Sequence, residues 1–447
     1  MDRRKFFKKT TRFAVALGWY FSGASVFKYN QLSAAHKSIE FLAKDPNKIL
    51  NLHKALRYKT ISTHREKMSD GFQVPHMPDG MACFPSDNNK VVLVINHELG
   101  KKSKIEDSPF LNKKIKDKHQ SFNLYDKKAY GGTINLVYNE KTKKVESQFL
   151  SLSGTLTNCA GGTTPWGTWL TCEETTLGTS HGMSKPHGYV FEVKPTEKKG
   201  IQKAIPIKSM GRFSHEAVAF DSATGDAFLT EDRSKSLIYR FIPDKTGDLS
   251  AGKLFALSIE GHPQDTRNWK NKFYLKGVRY KVKWVPLKDV DSRDDSLRKK
   301  GAKKGASFFA RGEGIASDGS SIYITCTSGG PKKKGQIWRY TPGPTKYSAD
   351  DIIELWQEMD MEQTLDMPDN ITFAPWGDVI VCEDNSKTNR LWGLRPNGTP
   401  YLIAQNSYSG AEFAGACFSP SGKTLFVNLQ QNGMTLAIEG DWNALRA

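Results

Sequence analysis

At 447 residues the chain is too long for one small domain, and 38% apolar residues with 24 Phe, 15 Tyr and 10 Trp supply a real core, which excludes wholesale disorder. Lys and Arg outnumber Asp and Glu by 65 to 47, a net charge of +18, of which +6 lies in residues 1–35. The basic balance does not indicate nucleic acid, because the Lys runs at 113–114, 299–300 and 332–334 read as exposed loops and no nucleic-acid-binding signature accompanies them.

The N-terminus reads as a targeting signal. Arg3-Arg4, a spacer, Phe6-Phe7 and Lys8 follow the twin-arginine export pattern. The apolar run from Phe13 to Phe27 is shorter than the ~20 residues that span a bilayer, so no stable membrane span is expected. Ser33-Ala34-Ala35 offers a cleavage region. Residues 1–35 are therefore expected to be a Tat-type signal that meets the Tat translocase during export, which places the protein in the periplasm or outside the cell. Residues 36–70 read as a lead-in, helical over 36–56. Residues 71–447 read as the folded body.

A repeat organises that body. Pro165-Trp-Gly-Thr-Trp-Leu-Thr-Cys-Glu-Glu174 recurs 210 residues later as Pro375-Trp-Gly-Asp-Val-Ile-Val-Cys-Glu-Asp384. Weaker copies of the same strand–turn–strand pattern run over 81–98, 215–232, 313–328 and 414–430. The six units end about 66 residues apart on average, with room for two more strands in each interval. The pattern predicts an all-β fold, a six-bladed β-propeller. The Lys/Asp-rich segment 281–306 is expected to be a long loop inserted in a blade. The six cysteines (83, 159, 172, 326, 382 and 417) are widely spaced without a CxxC, so buried free thiols are expected rather than a disulfide framework.

In an antiparallel hairpin the start of the first strand lies beside the end of the second. The polar residues of the repeat sit at those two places. The starts carry Glu216, Glu313 and Asp369-Asn370; the ends carry Asn96-His97-Glu98, Glu173-Glu174, Glu231-Asp232 and Glu383-Asp384. Hairpins lining a channel would bring these groups to one mouth. Carboxylates crowded together raise one another's pKa unless a cation neutralises them, and hard cations with six to eight oxygen ligands make calcium the first candidate. Cys159, in Asn158-Cys-Ala-Gly-Gly162, is either a small buried residue or a thiolate ligand that would favour a transition metal. Arg311, two residues before Glu313, is shaped to hold a phosphate or to pair with one of the acids. No GxSxG elbow, P-loop or zinc-spaced histidine cluster is present.

These residues resemble the PhoX-type alkaline phosphatases of bacteria. The resemblance rests on Asn96-His-Glu98, Cys159 through Pro165-Trp-Gly-Thr to Cys172-Glu-Glu174, Ser214-His-Glu216, Thr230-Glu-Asp-Arg233, Arg311-Gly-Glu-Gly314, Pro368-Asp-Asn370, Glu383-Asp-Asn385 and Glu412-Phe-Ala-Gly415, in the family's order over roughly 70–445. It implies an exported phosphatase acting on small phosphate monoesters with iron and calcium. It implies iron ligands at Cys159, Glu216 and Glu313, and calcium-side positions at Asn96, Glu98, Glu173, Glu174, Asp369, Glu383 and Asp384. Arg311 would bind phosphate, and Arg311, Glu313 and Glu216 would carry the chemistry. The role of Glu231 and Asp232 is left open. The chain is shorter than many relatives, so its rim loops are trimmed. Two other readings fit a calcium-bearing propeller: a calcium-dependent lactonase or phosphotriesterase, and a non-catalytic periplasmic binding module. A monomer is expected.

Overall fold

The computed structural model describes residues 42–111, 123–345, 348–360 and 364–446. The expected signal over 1–35 lies outside these residues. The fold is all-β and propeller-like. It opens with β1 (Leu42–Ala43), β2 (Leu50–His53) and β3 (Leu56–Thr63). The helix expected over 36–56 is therefore corrected across its described part, 42–56, which is strand and turn. The cause is local: the Asp45 carboxylate accepts hydrogen bonds from the backbone N–H of Asn47, Ile49 and Leu50 and from Tyr58 Oη, and so builds a turn where a helix would need continuity.

The first full sheet runs β4 (Pro78–Pro85), β5 (Lys90–His97), β6 (Gly131–Asn139) and β7 (Lys144–Thr155). A three-stranded sheet follows, β8 (Asn158–Thr163), β9 (Trp169–Glu173) and β10 (Val190–Val193). Next come β11 (His215–Phe220), β12 (Ala227–Glu231), β13 (Tyr239–Lys245), β14 (Asp248–Ile259) and β15 (Arg279–Pro286). After helix α1 (Leu297–Lys303) the chain continues through β16 (Gly312–Ser317), β17 (Ile322–Cys326), β18 (Gln336–Thr341) and β19 (Ile352–Glu358). These nine strands form one sheet, because β15 pairs with β14 on one side and β19 on the other. Segment 281–306 is thus not a plain inserted loop: it starts within this bridging strand and contains α1. The remaining strands are β20 (Pro368–Phe373), β21 (Val379–Glu383), β22 (Arg390–Leu394) and β23 (Pro400–Asn406), then β24 (Phe413–Phe418), β25 (Thr424–Leu429) and β26 (Met434–Gly440), with a short terminal helix α2 (Trp442–Arg446).

The N-terminal strands complete the last two sheets. β2 hydrogen-bonds to β23, β1 to β2, and β3 to β26 along its whole length. The first strands β4, β8, β11, β16, β20 and β24 lie side by side in that order, and β24 returns to β4. They surround a central channel with a cavity of about 520 Å³, lined beyond the strand starts by groups such as Cys83, Phe220, Ile315, Phe373 and Phe418. Small residues let these strands approach: a Cβ on Gly162 of β8 would lie 1.8 Å from the Val218 carbonyl oxygen of β11. The duplicated Pro-Trp-Gly segments are matching turns, with Gly167 and Gly377 at φ +81° and +90°. Apolar faces fill the space between sheets around fully buried side chains such as Trp338, Trp392 and Phe191. All six cysteines are free.

Candidate functional site

One backbone device recurs in the first five hairpins. Pro78 pairs with His97, Asn158 with Glu173, His215 with Glu231, Gly312 with Cys326 and Pro368 with Glu383. The register then slips, so the first strand spends one residue more than its partner. Such a bulge re-aims the side chains within it. The residue after each paired start is Asp79, Cys159, Glu216, Glu313 or Asp369. The residue after each paired end is Glu98, Glu174, Asp232, Thr327 or Asp384. In the sixth hairpin the bulge follows Ala414 and holds Gly415 at φ +62°.

A second device fixes the strand ends. The backbone N–H groups of Glu98, Glu174, Thr327 and Asp384 donate to the carbonyls of Met77, Thr157, Arg311 and Met367. Those four residues have φ of +53°, +53°, +54° and +48°. A left-handed conformation is strained for each of these side chains, and its fourfold recurrence marks the mouth as a site where strain is held by the surrounding structure.

The result is a continuous belt of ligand-type groups. Four sets each bring a ligand atom from every member within 4.8 Å of the others: Asp79 with Glu98 and Cys159; Cys159 with Glu174 and Glu216; Glu216 with Glu313 and Asp369; and Asp369 with Asp384 and Glu412. Cys159 Sγ lies 2.9 Å from Glu216 Oε1. Gln430 Nε2 ties the start of the belt together, 2.6 Å from Asp79 Oδ2 and 2.9 Å from Glu98 Oε2. Arg311 faces the belt: its Nε is 3.0 Å from Asp232 Oδ1, and one terminal nitrogen is 2.5 Å from Glu313 Oε1 and 3.7 Å from Asp384 Oδ2.

Burial makes this belt costly without a cation. Desolvation, then the neighbouring acids, holds Glu98, Glu216, Glu313, Asp369 and Glu412 well above the usual carboxylate range. The same causes push Asp79 up to about 6 and Glu174 up to about 8. Burial and adjacent carboxylates also raise the Cys159 thiol. Asp79 Oδ1 and Glu216 Oε2 are buried without a hydrogen-bond partner. Buried acceptors left open beside other acceptors suit a cation, and a thiol among carboxylates fits a mixed set of ions. The residues present therefore fit metal.

Not every expected residue reaches the belt. Glu173 turns into its sheet, where it accepts from the N–H groups of Leu156, Gly188 and Tyr189 and pairs with His187 at 2.6 Å; Asp126 holds the other His187 nitrogen at 3.3 Å. Glu383 likewise accepts from the Asp366 N–H and Trp392 Nε1. Asn96 donates to the Cys159 and Ala160 carbonyls and accepts from Trp169 Nε1, which pins the backbone under Cys159 rather than offering a ligand. Glu231 is buried against Tyr239 and Arg298, whereas Asp232 meets Arg311. Asn96, Glu173 and Glu383, expected among the metal ligands, make these contacts and stand outside the four sets, while Glu383 Oε2 remains buried without a hydrogen-bond partner. Sequence reasoning missed Asp79 and Glu412 as ligand-type residues. Pro78-Asp79-Gly80 repeats the start of Pro368-Asp369-Asn370, and that was the available signal.

Residues 38–433 match the family model described as alkaline phosphatase PhoX. The chain belongs to the PhoX family of alkaline phosphatases. Among solved structures, Pseudomonas fluorescens PhoX in complex with vanadate, a transition state analogue, is similar at 18% identity and a TM-score of 0.65, over 90% of this chain and 97% of that one. That likeness shows the shared fold. A gluconolactonase from Xanthomonas campestris (9% identity, TM-score 0.40, 86% of this chain and 95% of that one) is more distant. No curated protein matches the chain. As a PhoX member the chain is a metal-dependent phosphatase, and the acidic belt is where its ions fit.

Proposed function

We propose that this PhoX member hydrolyses phosphate monoesters at the mouth of a six-bladed propeller, using iron and calcium, after export through the Tat pathway. The nine-stranded sheet is read as two blades joined by β15, which makes six with the other four sheets. The observation that carries the reading is the unbroken belt from Asp79 to Glu412 with Arg311 facing it. Cys159, Glu216 and Glu313 would hold iron, since Glu216 shares one set with the thiol and another with Glu313. Asp79, Glu98, Glu174, Asp369, Asp384 and Glu412 offer oxygen only and suit calcium. The bound ions supply Lewis acidity toward phosphoryl oxygens.

The chain's own residues do the positioning. Asp232 grips the Arg311 guanidinium from one side and Glu313 from the other, so its donors point across the belt. In that pose Arg311 can exchange a carboxylate for two phosphoryl oxygens and offset the charge that builds during transfer. Gln430 keeps Asp79 and Glu98 converged. The substrate's dianion is drawn by the positive net charge of the whole molecule. Action as a monomer in the periplasm or outside the cell completes the reading.

The test is hydrolysis of p-nitrophenyl phosphate at alkaline pH by the exported protein, with calcium present and after EGTA. Turnover that collapses with EGTA and returns with calcium is the expected result. Metal-loaded, folded protein that leaves the ester intact would refute the reading, and hydrolysis of a lactone instead would replace it with the lactonase alternative.

A further inference from the structure

Five large apolar side chains are strongly exposed among the described residues, and three of them fall within six positions: Phe273, Leu275 and Val278, at 48, 50 and 40%. Isolated exposed apolar residues are ordinary, but a local group needs a reason. This group is built rather than loose. Tyr274, between Phe273 and Leu275, is fully buried; its hydroxyl donates to the Pro263 carbonyl, and its backbone N–H donates to Asn268 Oδ1. The Leu275 N–H donates to Tyr280 Oη, and the Val278 N–H to the Leu275 carbonyl, a tight turn with Gly277 at φ +79°. The anchors inside hold the apolar side chains outside.

The surrounding charge is one-sided. Residues 268–286 contain six Lys and Arg and no Asp or Glu. Lys272 pairs with Glu358 and Lys276 with Gln357. Along β15 the side chains alternate, with Tyr280 and Val282 buried and Arg279, Lys281 and Lys283 exposed. Strand geometry spaces those three cations by ~6.7 Å on one face. Two acids adjoin the row: Glu354 lies 3.7 Å from Arg279, and Glu260 is beside Lys281 across the strand pair, while Lys283 faces Ser258. The approach to the turn is tied to the mouth end of the molecule, because Arg267 donates to the Ser234 carbonyl and Trp269 to the Ser328 carbonyl.

We propose that this surface docks on a membrane bearing anionic lipid, with Phe273, Leu275 and Val278 entering the headgroup boundary and Lys270, Arg279, Lys281 and Lys283 meeting lipid phosphates. Apolar side chains ringed by cations match an anionic interface, which offers both a hydrocarbon margin and negative charge. A protein partner would need a complementary acidic groove; a lipid surface needs only charge and depth.

The experiment is hydrogen exchange of the full-length protein with vesicles of phosphatidylcholine alone or with three-tenths phosphatidylglycerol. Peptides across 270–283 should exchange several-fold more slowly with the anionic vesicles, and the protection should fade in high salt. Phe273→Ser with Leu275→Ser, and separately Lys281→Glu with Lys283→Glu, should abolish that local protection and leave p-nitrophenyl phosphate turnover in solution unchanged. Binding through the basic N-terminus would protect other peptides and leave 270–283 unaffected, which would overturn the proposal. Equal protection by neutral vesicles would also overturn it. So would protection that appears without lipid and tracks a dimer in light scattering, since the face would then join two copies of the chain.

Discussion

Glu173 and Glu174 are identical side chains one residue apart, and they do opposite jobs. Glu174 joins the belt with Cys159 and Glu216, while Glu173 is enclosed by backbone amides and His187. Glu173→Gln is therefore expected to destabilise the fold by about 3 kcal/mol, because it breaks a buried charged pair; thermal melting would read this as a lower midpoint, and an unchanged midpoint would contradict it. Glu174→Gln should instead lower bound metal and activity while the metal-free protein melts no earlier. Glu313→Gln should abolish turnover and reduce bound iron, measured by elemental analysis on folded protein. Arg311→Ala should weaken inhibition by phosphate by roughly tenfold or more, as loss of a bidentate ionic contact would. The acids themselves were plain in the sequence, but strand alternation lets only one of each adjacent pair face the mouth, and the bulge that chooses between them depends on register with a second strand. That is why Glu174 was legible only together with Glu173, and Asp384 only together with Glu383.

At the scale of elements, the repeat carried the fold into view. The six repeat copies, ending at 98, 174, 232, 328, 384 and 430, stop within two residues of the ends of β5, β9, β12, β17, β21 and β25. The lead-in was not legible, because β2 and β3 are defined by partners at the far end of the chain: Leu52 faces Ala404, and Tyr58 faces Ile438. No local pattern announces a partner that distant. β15 was hidden for the same reason, and a buried polar knot beneath it shows how the join is held. Arg240 binds Asp226 at 2.7 Å and Asp351 at 3.2 Å, and Asp351 also accepts from Trp284 and Tyr340. Asp351→Ala should leave the Arg240 charge poorly compensated and cost about 3–5 kcal/mol, read as a lower midpoint in denaturant. Removal of residues 1–63 should strip β26 and β23 of their edge partners and give a protein without a single cooperative melt; a sharp transition in that truncation would show that the closing strands are dispensable.

Over the whole molecule, a chain of net charge +18 gathers a belt of acids at one end of a channel. In the absence of metal these carboxyls hold protons in the folded state that the unfolded chain releases near 4.5, the ordinary glutamate value. The native state then binds more protons than the unfolded one, so stability falls as pH rises from that value toward the about 8 of Glu174. EGTA-treated protein should accordingly melt at lower temperature at pH 8 than at pH 5, and calcium should remove most of the difference; a metal-free midpoint that climbs with pH over this range would contradict the account. The pairing of β3 with β26 has a kinetic consequence as well. An N-terminal strand, β3, waits for β26, so this sheet cannot be completed until β26 has been made. Contacts of such long sequence separation are slow to form, so this pairing comes late in folding. A nascent chain lacking β26 would present β3 as an open edge to any neighbour.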